Sequence, residues 1–90
     1  MKIFHLPNGG YRTEYPNHTS YYNAAGLLHR IDGPAIEWAN GGKVYCINDK
    51  LHRIDGPAIE QPDGYHEYWL NGREVTAADM PNLTLEDLLR

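Results

Sequence analysis

Leu28-His29-Arg30-Ile31-Asp32-Gly33-Pro34-Ala35-Ile36-Glu37 recurs letter for letter as Leu51-His52-Arg53-Ile54-Asp55-Gly56-Pro57-Ala58-Ile59-Glu60. The offset, 51 − 28, is 23 residues, and the flanking positions keep that register. Stepping by 23 aligns Glu14, Glu37 and Glu60, then Asn17, Asn40 and Asp63, then Tyr22, Tyr45 and Tyr68. A fixed period of this length marks a repeat array whose units bury their faces against one another. The chain reads as one domain with an N-terminal hairpin and half repeat over 1–27. Full repeats follow over 28–50 and 51–75, and then a C-terminal helical cap over 76–90.

The residues around the decapeptides are turn and strand formers. Asn8-Gly9, Asn40-Gly41 and Asp63-Gly64 each separate two extended segments, the strongest short-range hairpin signal. As two-residue type I′ loops they place Ile36 opposite Tyr45, Ile59 opposite Tyr68 and Thr13 opposite Tyr22. Alternation then puts Ile36, Trp38, Tyr45 and Ile47 on one face, the expected core. Ala35, Glu37, Val44 and Cys46 fall on the other, with Ala58, Glu60, Glu67 and Trp69 in the next unit. Pro16 to Ser20 is expected to break the chain between two strands.

Asp32-Gly33-Pro34 and Asp55-Gly56-Pro57 read as structural corners. Proline pushes the residue before it out of the helical region, and glycine takes conformations that other residues refuse. The aspartate carboxylate is expected to accept from nearby backbone amides. Past Val75, Thr84 opens a short amphipathic turn with Leu85, Leu88 and Leu89 on one side. The fold class is therefore mainly β, an antiparallel meander of repeated hairpins with a short C-terminal helix.

Composition narrows the function classes. The formal charge is −4 with both signs interspersed, so the basic stripe that nucleic acid requires is missing and nucleic-acid binding is not expected. There is no apolar run of membrane-spanning length and no signal-peptide pattern at the start, so no membrane association is expected. A single cysteine, Cys46, forms no internal disulfide, and the expectation is a cytoplasmic protein. Seven tyrosines and two tryptophans against one phenylalanine favour half-buried sheet faces and contact surfaces.

The block Leu28 to Ala35, followed by Asn40-Gly41, Tyr45 and Asn48, resembles the MORN-variant repeat, with its Leu-His-Arg-x-Asp-Gly-Pro-Ala core and Trp-Tyr-x-Asn-Gly arm. Tyr68-Trp69-Leu70-Asn71-Gly72 fits that arm with its two aromatics in the opposite order. Cys46 and Asp49 depart from it, and Ala25-Gly26 blurs the first arm. The resemblance covers roughly Tyr21 to Val75. It implies successive hairpins in an elongated sheet, a protein-interaction surface, and no catalytic residue set. Such repeats are common in bacterial and phage proteins, some of them antitoxin-like.

The candidate binding residues are Trp69, Trp38, His29, Arg30, His52 and Arg53. Tryptophan and arginine are enriched where binding energy concentrates, and Trp69 is the expected exposed hot spot, with Trp38 in the core. His29 with Asp32 and His52 with Asp55 offer imidazole and carboxylate to a metal. Their exact repetition favours corners in which His and Arg bond between neighbouring units, so no metal is expected. Arg30 and Arg53 either clamp an anion or pair with Asp32, Asp55 and the glutamate column. Cys46 has no activating base and reads as a packing residue. The reading is a non-enzymatic protein-binding module with no cofactor, a small phage-type inhibitor or antitoxin-like protein of a host complex. The alternative is a small-ligand or nucleotide-sequestering protein holding anions with Arg30 and Arg53, and a homo-oligomer is compatible with either.

Overall fold

The computed structural model describes residues 1–78 of the chain. Its ten strands are β1 (Lys2–His5), β2 (Tyr11–Tyr15), β3 (His18–Tyr22), β4 (Ile36–Trp38), β5 (Lys43–Val44), β6 (Cys46–Ile47), β7 (Lys50–Leu51), β8 (Ile59–Glu60), β9 (His66–Leu70) and β10 (Arg73–Val75). Eight of them form one meander sheet in the order β1-β2-β3-β4-β5-β8-β9-β10, and β6 pairs with β7 as a separate hairpin. All pairings are antiparallel, so the expected mainly β architecture of repeated hairpins is the one observed. Among the described residues there is no α-helix. The expected cap over 76–90 lies, from residue 79 onward, outside them.

Two kinds of loop fold the array, and they are distributed differently from the sequence expectation. Pro7-Asn8-Gly9, Ala39-Asn40-Gly41 and Pro62-Asp63-Gly64 are three-residue loops. They are closed by the Leu6, Trp38 and Gln61 N–H groups donating to the carbonyls of Gly10, Gly42 and Tyr65, each at 2.9 Å. The third residue of each carries positive φ, at 87° for Gly9, 97° for Gly41 and 92° for Gly64. This is the three-residue hairpin whose last loop residue is left-handed. The side-chain oxygens of Asn8, Asn40 and Asp63 each accept the backbone N–H two residues on, at 2.9 Å. The two-residue loops with positive φ at both positions lie elsewhere, at Asn48-Asp49 (49° and 67°) and Asn71-Gly72 (50° and 78°).

One extra loop residue shifts the register by one. Ile36 lies opposite Val44 rather than Tyr45, and Ile59 opposite Glu67 rather than Tyr68. Thr13 faces Ser20 rather than Tyr22, and His18 to Ser20 belong to β3, the break being Pro16-Asn17 alone. A row of cross-strand neighbours therefore runs Ile3, Thr13, Ser20, Ile36, Val44, Ile59, Glu67 on one face. Glu14, Thr19, Glu37, Lys43, Glu60 and His66 form the row on the other.

Neither face is a conventional core. The molecule measures 40 × 31 × 16 Å, and among the described residues no large side chain is fully buried. The buried set is small: Gly10, Thr13, Ser20, Pro34, Ala35, Gly42, Cys46, Ala58 and Leu70. Ile36, Tyr45 and Ile47, expected inside, are only half-buried. A body this thin is held mainly by its backbone ladders and by side chains that bridge units.

Thr13 Oγ1 is buried without a hydrogen-bond partner. A hydroxyl in that state carries its desolvation cost uncompensated, about 1–3 kcal/mol. Thr13→Val keeps the shape and removes the hydroxyl. It is expected to raise unfolding free energy by about 1 kcal/mol in urea titration.

Candidate functional site

Each Leu-His-Arg segment is paired with the hairpin that ends its own unit through three contacts that recur. The Asp49 N–H donates to the Leu28 carbonyl at 2.8 Å, and the Gly72 N–H to the Leu51 carbonyl at 2.9 Å. The Arg30 N–H donates to Cys46 and the Arg53 N–H to Trp69, both at 3.2 Å. Between them, Nδ1 of His29 accepts the Asn48 N–H at 3.1 Å, and Nδ1 of His52 accepts the Asn71 N–H at 3.0 Å. Asn48 and Asn71 open the left-handed turns, where the first amide has no partner within its own hairpin. The imidazole supplies one, and accepting there leaves the ring proton on Nε2.

The arginine next to each histidine closes the corner. Arg30 lies with its Cζ 3.9 Å from the centre of the Tyr21 ring, and Arg53 lies 4.0 Å from that of Tyr45. Arg30 donates from Nε to Asp32 at 3.3 Å and from Nη1 to the Pro34 carbonyl at 3.2 Å and to Glu37 at 2.9 Å. Arg53 repeats the set with Asp55 at 2.9 Å, the Pro57 carbonyl at 3.1 Å, and Glu60. The ion-pair reading of the arginines is therefore the one realised, with aspartate and glutamate together. The aspartates take the guanidinium where backbone amides were expected.

Gly33 and Gly56 have a different cause from the one expected. Neither carries positive φ. A Cβ on either would stand 3.0 Å from the guanidinium carbon of Arg30 or Arg53, because the side chain lies flat against the glycine. The plane of each arginine is thus held between a tyrosine ring and a bare Cα.

Residues of both corners line one groove of about 590 Å³. His29, Arg30 and Asp32 come from one corner and His52, Arg53 and Asp55 from the other, with Tyr45 and Ile47 also in its lining. Ile31 and Ile54, the corner residues that turn away from the ion pairs, are 83% and 42% exposed and line it too. The structure thus brings four of the six candidate binding residues into one site.

The tryptophans are placed elsewhere, and differently from the expectation. Trp38 is 40% exposed rather than core. It packs at a tilt against His18 with ring centres 4.7 Å apart, and His18 stacks on Tyr15, also at 4.7 Å. Trp69 is half-buried, and its indole N–H donates to Glu67 at 2.8 Å. Alternation along β9 puts Trp69 with Glu67, on the same face as Ile59 and Trp38, so the two indoles share a face. The Tyr65 hydroxyl donates to the same carboxylate, which holds Glu67 below the ordinary carboxylate range.

Cys46 is buried, and desolvation followed by the Asp49 carboxylate pushes its thiol up to about 11. A thiol so protonated is a poor nucleophile. Among the described residues, no group of three or more His, Cys, Asp or Glu side chains is placed to hold a metal ion. No helix among them is long and apolar enough to cross a membrane.

Sequence reading missed Tyr21 and the exposed isoleucines. Stepping by 23 from Tyr45 points to Tyr22, yet Tyr21 is the residue under the guanidinium. The first loop, Ala24-Ala25-Gly26, has three residues where Asn48-Asp49 has two. The signal for Ile31 and Ile54 was an apolar residue between His-Arg and Asp-Gly, inside a polar corner. No family model, curated protein or solved structure matches the chain.

Arg53→Lys retains the charge but not the planar fork that spans Asp55, Pro57 and Glu60. It is expected to lower unfolding free energy by roughly 2 kcal/mol in chemical denaturation. Acid is expected to destabilise the array through His52, whose pKa burial lowers below the ordinary 6.5. The unfolded chain then binds the proton more readily than the fold. The contribution of His52 is full above pH 6.5 and is lost as pH falls from there toward the folded value. Melting temperature measured across that range should drop on the acid side. The drop should be smaller in His52→Asn, whose amide oxygen stands where Nδ1 does and can still accept from Asn71.

Proposed function

We propose that this chain is a non-enzymatic protein-binding module whose contact surface is the corner groove, with Ile31 and Ile54 outermost. The observation that carries the reading is the division of labour within each corner. The charged groups are spent on one another, while the isoleucine between them is turned to solvent in both copies. Exposed apolar side chains on a rigid frame, rimmed by polar groups, are the composition of a protein contact.

The anion-sequestering alternative is disfavoured by charge. Each corner combines one guanidinium with two carboxylates, a formal −1, so the pair carries −2. An entering phosphate would have to displace a carboxylate from each arginine. The finer reading, a small phage-type inhibitor or antitoxin-like protein acting on a host complex in the cytoplasm, draws its support from the resemblance of the repeat to MORN-variant repeats.

Affinity capture from cell lysate with the intact tagged chain tests the module. One stoichiometric protein partner is expected, and it should be lost with Ile31→Ser/Ile54→Ser, while the melting temperature changes little because both side chains are exposed. Capture that survives the double substitution would overturn the assignment of the surface.

A further inference from the structure

The groove between the corners has a defined repeat distance, charge and hydrogen-bonding character. The first corner runs into β4 and the second into β8, and these strands are separated in the sheet by β5 alone. Equivalent points on the two corners are therefore two strand spacings apart, about 9.4–9.8 Å. A polyproline-II segment repeats the same side every three residues, about 9.3 Å. An extended strand repeats its side at about 6.6–6.8 Å, and the corresponding helical repeat of seven residues is about 10.5 Å. The polyproline-II repeat fits the corners best.

Charge selects the side chains such a segment would carry. Asp32 and Asp55 expose 86% and 79% of their side chains while each accepts an arginine Nε–H through Oδ1. With the corners at net −2, their rim attracts a cation and repels an anion. Beside the carboxylates, Ile31, Ile54, Ile47 and Tyr45 offer an apolar wall. A polyproline-II backbone makes no internal hydrogen bonds, so its carbonyls are open to donors. His29 and His52 each keep an Nε2–H, since Nδ1 accepts the backbone N–H of Asn48 or Asn71.

We infer that the corner groove docks a polyproline-II segment of a partner protein that carries a lysine or arginine at every third position. The cations sit against Asp32 and Asp55, the intervening apolar residues lie along Ile31 and Ile54, and the third side of the segment faces solvent. This inference rests on the protein-binding reading above and names its partner's chemistry.

The test titrates the intact chain, labelled at its isoleucine methyls, with an amidated peptide of three Pro-Pro-Lys triplets. Shifts are expected at Ile31, Ile47 and Ile54. Asp32→Asn/Asp55→Asn should weaken binding about tenfold, from two rim charge contacts. Because each aspartate is exposed, the melting temperature of that variant serves as the folding control. The isomer with its three lysines consecutive should bind several-fold more weakly, and the peptide with glutamate in place of lysine should leave the methyls unmoved. Absence of shifts with the lysine peptide, equal affinity for either control peptide, or shifts confined to other isoleucines would overturn the inference. Those outcomes leave the protein-binding reading standing, because lysate capture reads dependence on the corners whatever shape the partner takes.

Discussion

Each repeat depends on the guanidinium of its corner arginine. Arg30 and Arg53 lie flat between a tyrosine ring and a glycine Cα and bond to an aspartate, a proline carbonyl and a glutamate. This one placement accounts for most letters of the decapeptide. Glycine is required because a Cβ would strike the guanidinium, and aspartate and glutamate supply its charge partners. Proline presents a carbonyl at the bend, and the alanine after it lies at zero exposure, where a larger side chain has no room. With side chains 25% and 22% exposed and several partners each, these networks differ from isolated surface ion pairs, which contribute little. Isoleucine alone is left outside.

The second constraint is thinness. A sheet body 16 Å across cannot enclose large side chains on all sides, and none is fully enclosed among the described residues. Small domains bury a modest share of their surface, so their stability leans on other contacts. Here those are the bonds from each Leu-His-Arg segment to the hairpin that ends its unit: two backbone bonds and one histidine ring in each. The leucine carbonyl, the histidine ring and the arginine N–H each contribute one of them, and of the three only the histidine bond depends on its side chain. The stacking of Arg53 on Tyr45 joins the second unit to the first, and residues of both corners line the groove. Stability and the candidate contact surface come from the same residues, with the isoleucines added.

Much of this was legible before any coordinates. The period, the hairpins and the Asp-Gly-Pro corners follow from which residues repeat and which turns they favour, whereas the hydrogen bonds of His and Arg, expected between neighbouring units, lie within one unit. Faces were not legible. Ala39-Asn40-Gly41 contains the pair that favours a two-residue left-handed turn, but the chain uses it as a three-residue loop, and Asn48-Asp49 takes the tighter turn. Trp38 consequently lies exposed and Trp69 half-buried, the reverse of the expectation. The spare residue in Ala24-Ala25-Gly26 likewise moved the stacking tyrosine from 22 to 21.

What the sequence by itself determined is periodicity, β character and the identity of the corners, because each is local. Repetition, turn propensity and the geometry of Gly-Pro act within a few residues. What only the tertiary structure decided is register, the face each side chain takes, and the groove that both corners line. In a strand the side chains alternate at every residue, so a loop longer by one residue exchanges the faces. Loop length is chosen by contacts between segments distant along the chain, such as the Asn48 amide on His29 and the Asp49 amide on Leu28. Those partners stand about twenty residues away along the chain, beyond the reach of any local rule.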